Sequence, residues 1–149
     1  MTASNHVVTG ALIATAVAQP AAAIPLAFAS HFVLDALPHY GDTNKASWLN
    51  RNFKYILGTD LILTSIFLLA IVIMQPTSWL LLAICGVVAV SPDILWLPYY
   101  LADLKHEQKE HSRLAKFLKW IQWGERPWGI YLEVVVLGGL LATFLQNIA

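Results

Sequence analysis

Long apolar runs, separated by short turns and by two basic connections, most limit how this chain can fold. Every lysine and arginine lies between Lys45 and Lys54 or between Lys105 and Arg126. A helix needs roughly 20 apolar residues to cross a bilayer, and several runs approach that length. Charged residues make up 12% of the 149-residue chain, half the ~25% of a soluble domain, and the deficit is confined to the runs. The expected fold is an all-α integral membrane protein, one domain over 1–149 with the lipid bilayer as its partner. Net charge is formally zero and the basic residues carry no interleaved stacking platform, so nucleic acid is not an expected partner. Cys85 is the lone cysteine, which excludes a disulfide framework or a thiolate metal site. Met1 to Asn5 lacks a basic n-region, so the first segment is read as mature structure.

Five apolar helical segments follow from the pattern, at about 6–18, 21–37, 55–74, 79–100 and 128–148. Asn5 is the expected N-cap of the first, Gln19-Pro20 its end, and Pro38 the stop of the second. Thirteen residues span only ~20 Å, so the first two segments are expected to form a re-entrant or tilted hairpin. Ser91-Pro92 is expected to interrupt the fourth segment. A further helix over about 104–122 carries Lys105, Lys109, Lys116 and Lys119 on one face and Leu114, Phe117, Leu118 and Ile121 on the other. That pattern describes an amphipathic helix lying on a membrane surface.

Both basic connections fall on one side of such a bundle. The positive-inside rule places them in the cytoplasm, with the N-terminus inside and the C-terminus outside a multi-pass inner (plasma) membrane protein. Tyr40, Trp48, Tyr55, Tyr99, Tyr100, Trp120, Trp123, Trp128 and Tyr131 fit an aromatic belt on that face, with Trp79 marking the opposite one.

Titratable residues cluster near the same face. His31, Asp35 and His39 are spaced i, i+4, i+8, so the first two share a helix face. His6, Asp60, Asp93 and Glu133 enter from the other segments at similar shallow depth. Charge within hydrocarbon is costly and usually functional. Imidazole with carboxylate suits Zn²⁺ and related divalent ions, here Zn²⁺ or Mn²⁺. His31 and Asp35 are the first candidate ligands, then Asp93, Asp60 and His6. Glu133 or Glu107 is the candidate general acid/base. Pro92 is expected to free helix carbonyls beside Asp93.

The run Ser30-His31-Phe32-Val33-Leu34-Asp35-Ala36-Leu37-Pro38-His39 also resembles the S-H-x-x-x-D-x-x-P-H element of the small bacterial and archaeal membrane-bound metal-dependent hydrolases. His6 followed by Gly10, and Pro92-Asp93, resemble further elements of that group. The resemblance implies His6, His31, Asp35 and Asp93 as metal ligands. The chain departs from the group after Asp93, where Ile94-Leu95-Trp96 follow, and it lacks the group's His-Arg-Gly-x-Thr-His-Ser run; His111-Ser112 is at best a remnant.

The leading expectation is a metal-dependent membrane hydrolase acting near the cytoplasmic surface on a phosphate or acyl ester of an amphiphilic substrate. Three alternatives stay open: a non-enzymatic scaffold or partner-binding protein with a structural polar network, a proton or cation transporter, and, as a minor option, a haem protein.

Overall fold

The computed structural model describes residues 1–41, 51–95, 98–99, 112–113, 116–117, 120 and 122–148. Among the described residues, five α-helices run in order: α1 (Ala3–Ala16), α2 (Pro20–Asp35), α3 (Arg51–Met74), α4 (Trp79–Ile94) and α5 (Gly129–Ile148). A 3-10 turn, Gln122–Gly124, precedes α5. The all-α expectation holds, with one small addition. Strands β1 (His39–Tyr40) and β2 (Glu125–Arg126) pair in parallel, His39 opposite Glu125 and Tyr40 opposite Arg126.

Helix α1 is the hub and packs against all four other helices. Its sequence permits this because its inward positions are small or β-branched: Val7, Val8, Ala11 and Ala14 are buried. Gly10 lets α1 approach α4 closely, since a Cβ there would overlap the Cys85 carbonyl. Leu82, Cys85 and Ala89 of α4, Ala23 and Ala27 of α2, Ile71 of α3 and Phe144 of α5 complete the core. Phe67 and Phe144 meet edge to face across it, with ring centroids 5.0 Å apart.

The outer helices behave differently. Among the described residues, α3 and α5 are long and apolar enough to cross a membrane, at mean hydropathy 2.5 and 1.7. Their 24 and 20 residues correspond to about 36 and 30 Å at 1.5 Å per residue. Only 17% of each apolar window is buried in the protein, so side chains such as Ile62, Ile73 and Val135 face outward. A soluble core helix would show the reverse burial.

Several boundaries differ from the sequence reading. The first helix starts at Ala3 with Thr2 in the N-cap position; Asn5 lies inside it, its amide donating to Thr2 Oγ1 (2.6 Å) and the Glu133 carbonyl (3.3 Å). Ser91-Pro92 does not interrupt α4, which continues to Ile94. The Ser91 hydroxyl donates to Val88 O at 2.8 Å, the carbonyl that Pro92, lacking an N–H, leaves unpaired. Helix α3 begins at Arg51 rather than Tyr55. The turn at Gln75–Ser78 falls where expected, with Gln75 and Ser78 at positive φ. Most of the amphipathic 104–122 segment lies outside the described residues; of those described, Phe117 and Trp120 are exposed, with ring centroids 6.2 Å apart.

Candidate metal centre

The polar residues converge on the first turn of α1. A helix begins with N–H groups that have no partner in the helix itself. Helix α1 has no acid in its first turn and no side-chain cap of its own. Carboxylates from other helices take that place. Asp60 of α3 accepts from Ala3 N–H (2.7 Å) and Ser4 N–H (2.9 Å). Glu133 of α5 accepts from Thr2 N–H (3.1 Å) and Tyr40 N–H (2.7 Å). Both acids are buried. Their negative charge also complements the positive end of the helix dipole.

These are the acids expected as a metal ligand (Asp60) and as a general acid/base (Glu133). Their oxygens hold backbone amides, and Glu133 does not ion-pair with Arg126, whose guanidinium donates to the Trp123 and Glu125 carbonyls.

The second group lies around Asp35. Its Oδ1 is 3.1 Å from His6 Nε2 and 2.5 Å from the Met1 ammonium. Its Oδ2 is 3.2 Å from His31 Nε2, one helical turn back on α2. Asp93 Oδ1 approaches the same His31 nitrogen at 3.7 Å. The His6 and His31 rings stack, with centroids 4.1 Å apart and planes 25° from parallel. His6, His31 and Asp35 are buried, whereas Asp93 is partly exposed.

His31 is held from behind. Its Nδ1 lies 2.9 Å from the Ala89 carbonyl, and a carbonyl can only accept, so Nδ1 carries the proton. In the neutral ring Nε2 is then a lone pair facing carboxylate oxygens on two sides. Two acceptors at such a distance require a proton or a cation between them. A ring N–H given to a backbone carbonyl is also the usual way a metal-binding histidine is oriented.

One ligand atom from each of His6, His31 and Asp93 lies within 4.8 Å of the others. Ligands at ~2.0–2.2 Å from a tetrahedral Zn²⁺ stand about 3.3–3.6 Å apart, so the three would close by up to roughly 1.5 Å around an ion. The donor set, two imidazoles with Asp35 and Asp93, fits a borderline divalent metal. Ligation through Asp35 Oδ1 would replace its contact with the Met1 ammonium.

His39 does not join this group. It is buried in β1, with Nδ1 donating to the Leu37 carbonyl at 2.8 Å. Burial, reinforced by the nearby Met1 ammonium, pushes its imidazole below the usual range. Gly129 makes this packing possible, because a Cβ there would overlap the His39 carbonyl group. Glu107, the other candidate acid/base, lies outside the described residues, as do His106 and His111.

Sequence reasoning missed the Met1 ammonium and the borrowed caps. The absence of an acid in the first turn of α1 was the available signal, since those N–H groups needed acceptors from elsewhere. The carbonyl that Pro92 leaves without a backbone donor is Val88 O, which the Ser91 hydroxyl takes up; Ala89 O, on which His31 rests, is not freed by the proline. No family model, curated protein or solved structure matches the chain.

Proposed function

We propose that this chain is a multi-pass inner-membrane protein that binds a divalent metal, Zn²⁺ or Mn²⁺, through His6, His31, Asp35 and Asp93. The arrangement that carries the proposal is His31: proton-bearing Nδ1 on Ala89 O, and Nε2 aimed at Asp35 and Asp93. Membrane placement is supported by the outward apolar faces of α3 and α5, and orientation by the two basic connections. The reaction class, hydrolysis of a phosphate or acyl ester on an amphiphile, rests on resemblance to the metal-dependent hydrolases and on a shallow site.

A bound metal would supply Lewis acidity and a water acidified towards neutral pH. Residues of the chain do the rest. Ala89 O fixes the His31 tautomer, and stacking on His6 fixes both rings. Asp93, the partly exposed acid, is the member of the group that an incoming substrate can reach. Asp60 and Glu133 hold the first turn of α1, and with it His6, in register.

Metal content measured by elemental analysis on detergent-purified protein tests the reading. Near one equivalent in wild type, lost in His31→Ala and Asp35→Ala, is expected. Protein that stays metal-free after reconstitution with Zn²⁺ and with Mn²⁺ overturns it.

A second reading, a scaffold with a purely structural polar network, is favoured by the amide contacts of Asp60 and Glu133. Under it, His31→Ala lowers thermal stability and wild type holds no metal.

A further inference from the structure

On the other side of α1's first turn, a cleft of about 240 Å³ opens between α3 and α5. Its walls are apolar, including Tyr55 and Leu63 of α3 and Val134 and Leu137 of α5. Its polar end holds Asn5, Asp60 and Glu133 together with the hydroxyls of Thr2, Ser4 and Thr59. Leu63 and Val134 are 44% and 64% exposed, so the cleft opens sideways between the two long apolar helices. In a bilayer that opening faces lipid.

The hydroxyls can donate or accept, whereas the amide oxygen and the two carboxylates only accept. Asn5 is fully buried, and its orientation is fixed because Nδ2 donates to the Glu133 carbonyl, which can only accept. Its Oδ1 is left without a hydrogen-bond partner. A buried acceptor without a donor is costly, and such an atom beside a cleft points to a missing donor. Asp60 and Glu133 add two carboxylates whose partners among the described residues are neutral N–H groups. Each keeps further lone pairs, and the roughly half charge at one helix N-terminus offsets only part of two carboxylates. An anionic head group is disfavoured by repulsion, and a hydroxyl would satisfy Asn5 but not the charge. A cationic donor satisfies both.

Size narrows the ligand further. Sites for small molecules usually enclose ~300–1,000 Å³, so this cleft admits a small head and the first part of one alkyl chain. We propose that it binds the primary ammonium head of a single-chain amphiphile drawn from the bilayer. Asn5 Oδ1 accepts from the ammonium, Asp60 and Glu133 supply the countercharge, and the chain runs out between Leu63 and Val134. This proposal shares the membrane placement of α3 and α5 with the metal reading but does not depend on the metal.

The test is a native mass spectrometry titration of the full chain, released from non-ionic detergent, with dodecylammonium, dodecanol and dodecanoate. Dodecylammonium is expected to bind one to one, at least tenfold tighter than the other two. Leu63→Trp or Val134→Trp, each filling the cleft from its exposed side, is expected to abolish that binding; circular dichroism confirms their folding. Equal binding of all three probes, or undiminished binding in both tryptophan variants, overturns the assignment. His31→Ala is expected to bind dodecylammonium as wild type does, whatever its metal content. Loss in that variant would put the ammonium at the histidine cluster and overturn the cleft as its site.

Discussion

His31 Nε2 and Asp35 Oδ2 face each other at 3.2 Å across one turn of α2, while His31 Nδ1 is committed to the Ala89 carbonyl on α4. That single side chain joins two helices and leaves its outward nitrogen available. If the proposed metal binds there, disturbing the support should weaken its binding without touching a ligand.

Pro92→Ala removes the ring that crowds the Val88 carbonyl and supplies the N–H it lacks, so the α4 backbone around Ala89 is expected to shift relative to His31. Loss of an outer partner of a metal-bound histidine typically lowers affinity about 10–100-fold. A competition titration with a zinc chelator should show a drop in that range. Unchanged affinity would mean that Ala89 does not orient His31.

Asp60→Ala removes both acceptors of the Ala3 and Ser4 amides. Each buried donor left unpaired costs about 1–3 kcal/mol, although water entering from the adjacent cleft will offset part of this. Thermal unfolding in detergent should show clear destabilisation, with Asp60→Asn milder because it keeps one acceptor. Metal content per folded molecule should fall less than in His31→Ala, because Asp60 acts on the proposed site only through the register of His6.

Gly10→Ala drives a Cβ into the backbone of α4 at Cys85. Overpacking of this kind costs about 1–3 kcal/mol, or more where backbone must move. A lower unfolding temperature is expected. Gly138→Ala, where nothing lies within 4 Å, should leave it unchanged or slightly raise it.

His39 predicts a pH dependence. Its folded pKa is depressed by burial, so the fold favours the neutral ring and the unfolded chain binds more protons in the window between the two values. The stability it contributes is complete above the unfolded value of about 6.5 and falls as pH drops through the folded one. Unfolding midpoints from pH 7.5 to 5 should fall more steeply for wild type than for His39→Gln. Parallel curves would remove His39 as the cause.

Sidedness can be read with thiol labelling in a Cys85→Ser background. Ser78→Cys should react with an impermeant reagent on intact cells, and Lys54→Cys only after lysis. The reverse pattern would overturn the orientation.

Helix number and order were legible because hydrophobic runs report directly on burial or lipid contact, and Gln19-Pro20 and Gln75-Pro76 mark the breaks. The pairing of His31 with Asp35 was legible for a similar reason, since i, i+4 spacing fixes two side chains on one helix before any packing occurs. Ends were less legible. Asn5 resembled a cap, yet its side chain serves the Glu133 carbonyl, a partner 128 residues away. Ser91-Pro92 resembled a break, yet a hydroxyl repairs the lost bond and α4 continues.

By itself the sequence determined the apolar segments, their polarity at one end and the local His31–Asp35 pair, because each depends on neighbours along the chain. Tertiary structure alone divided the acids into two kinds. Asp35 and Asp93 came to lie against imidazoles, while Asp60 and Glu133 came to lie against the open amides of α1. The four carboxylates gather around the start of α1 although they sit at different depths in their own helices, Asp35 at the end of α2 and Asp60 well inside α3. What separates them is which side of the first turn of α1 each helix packs on, a relation between segments far apart in sequence.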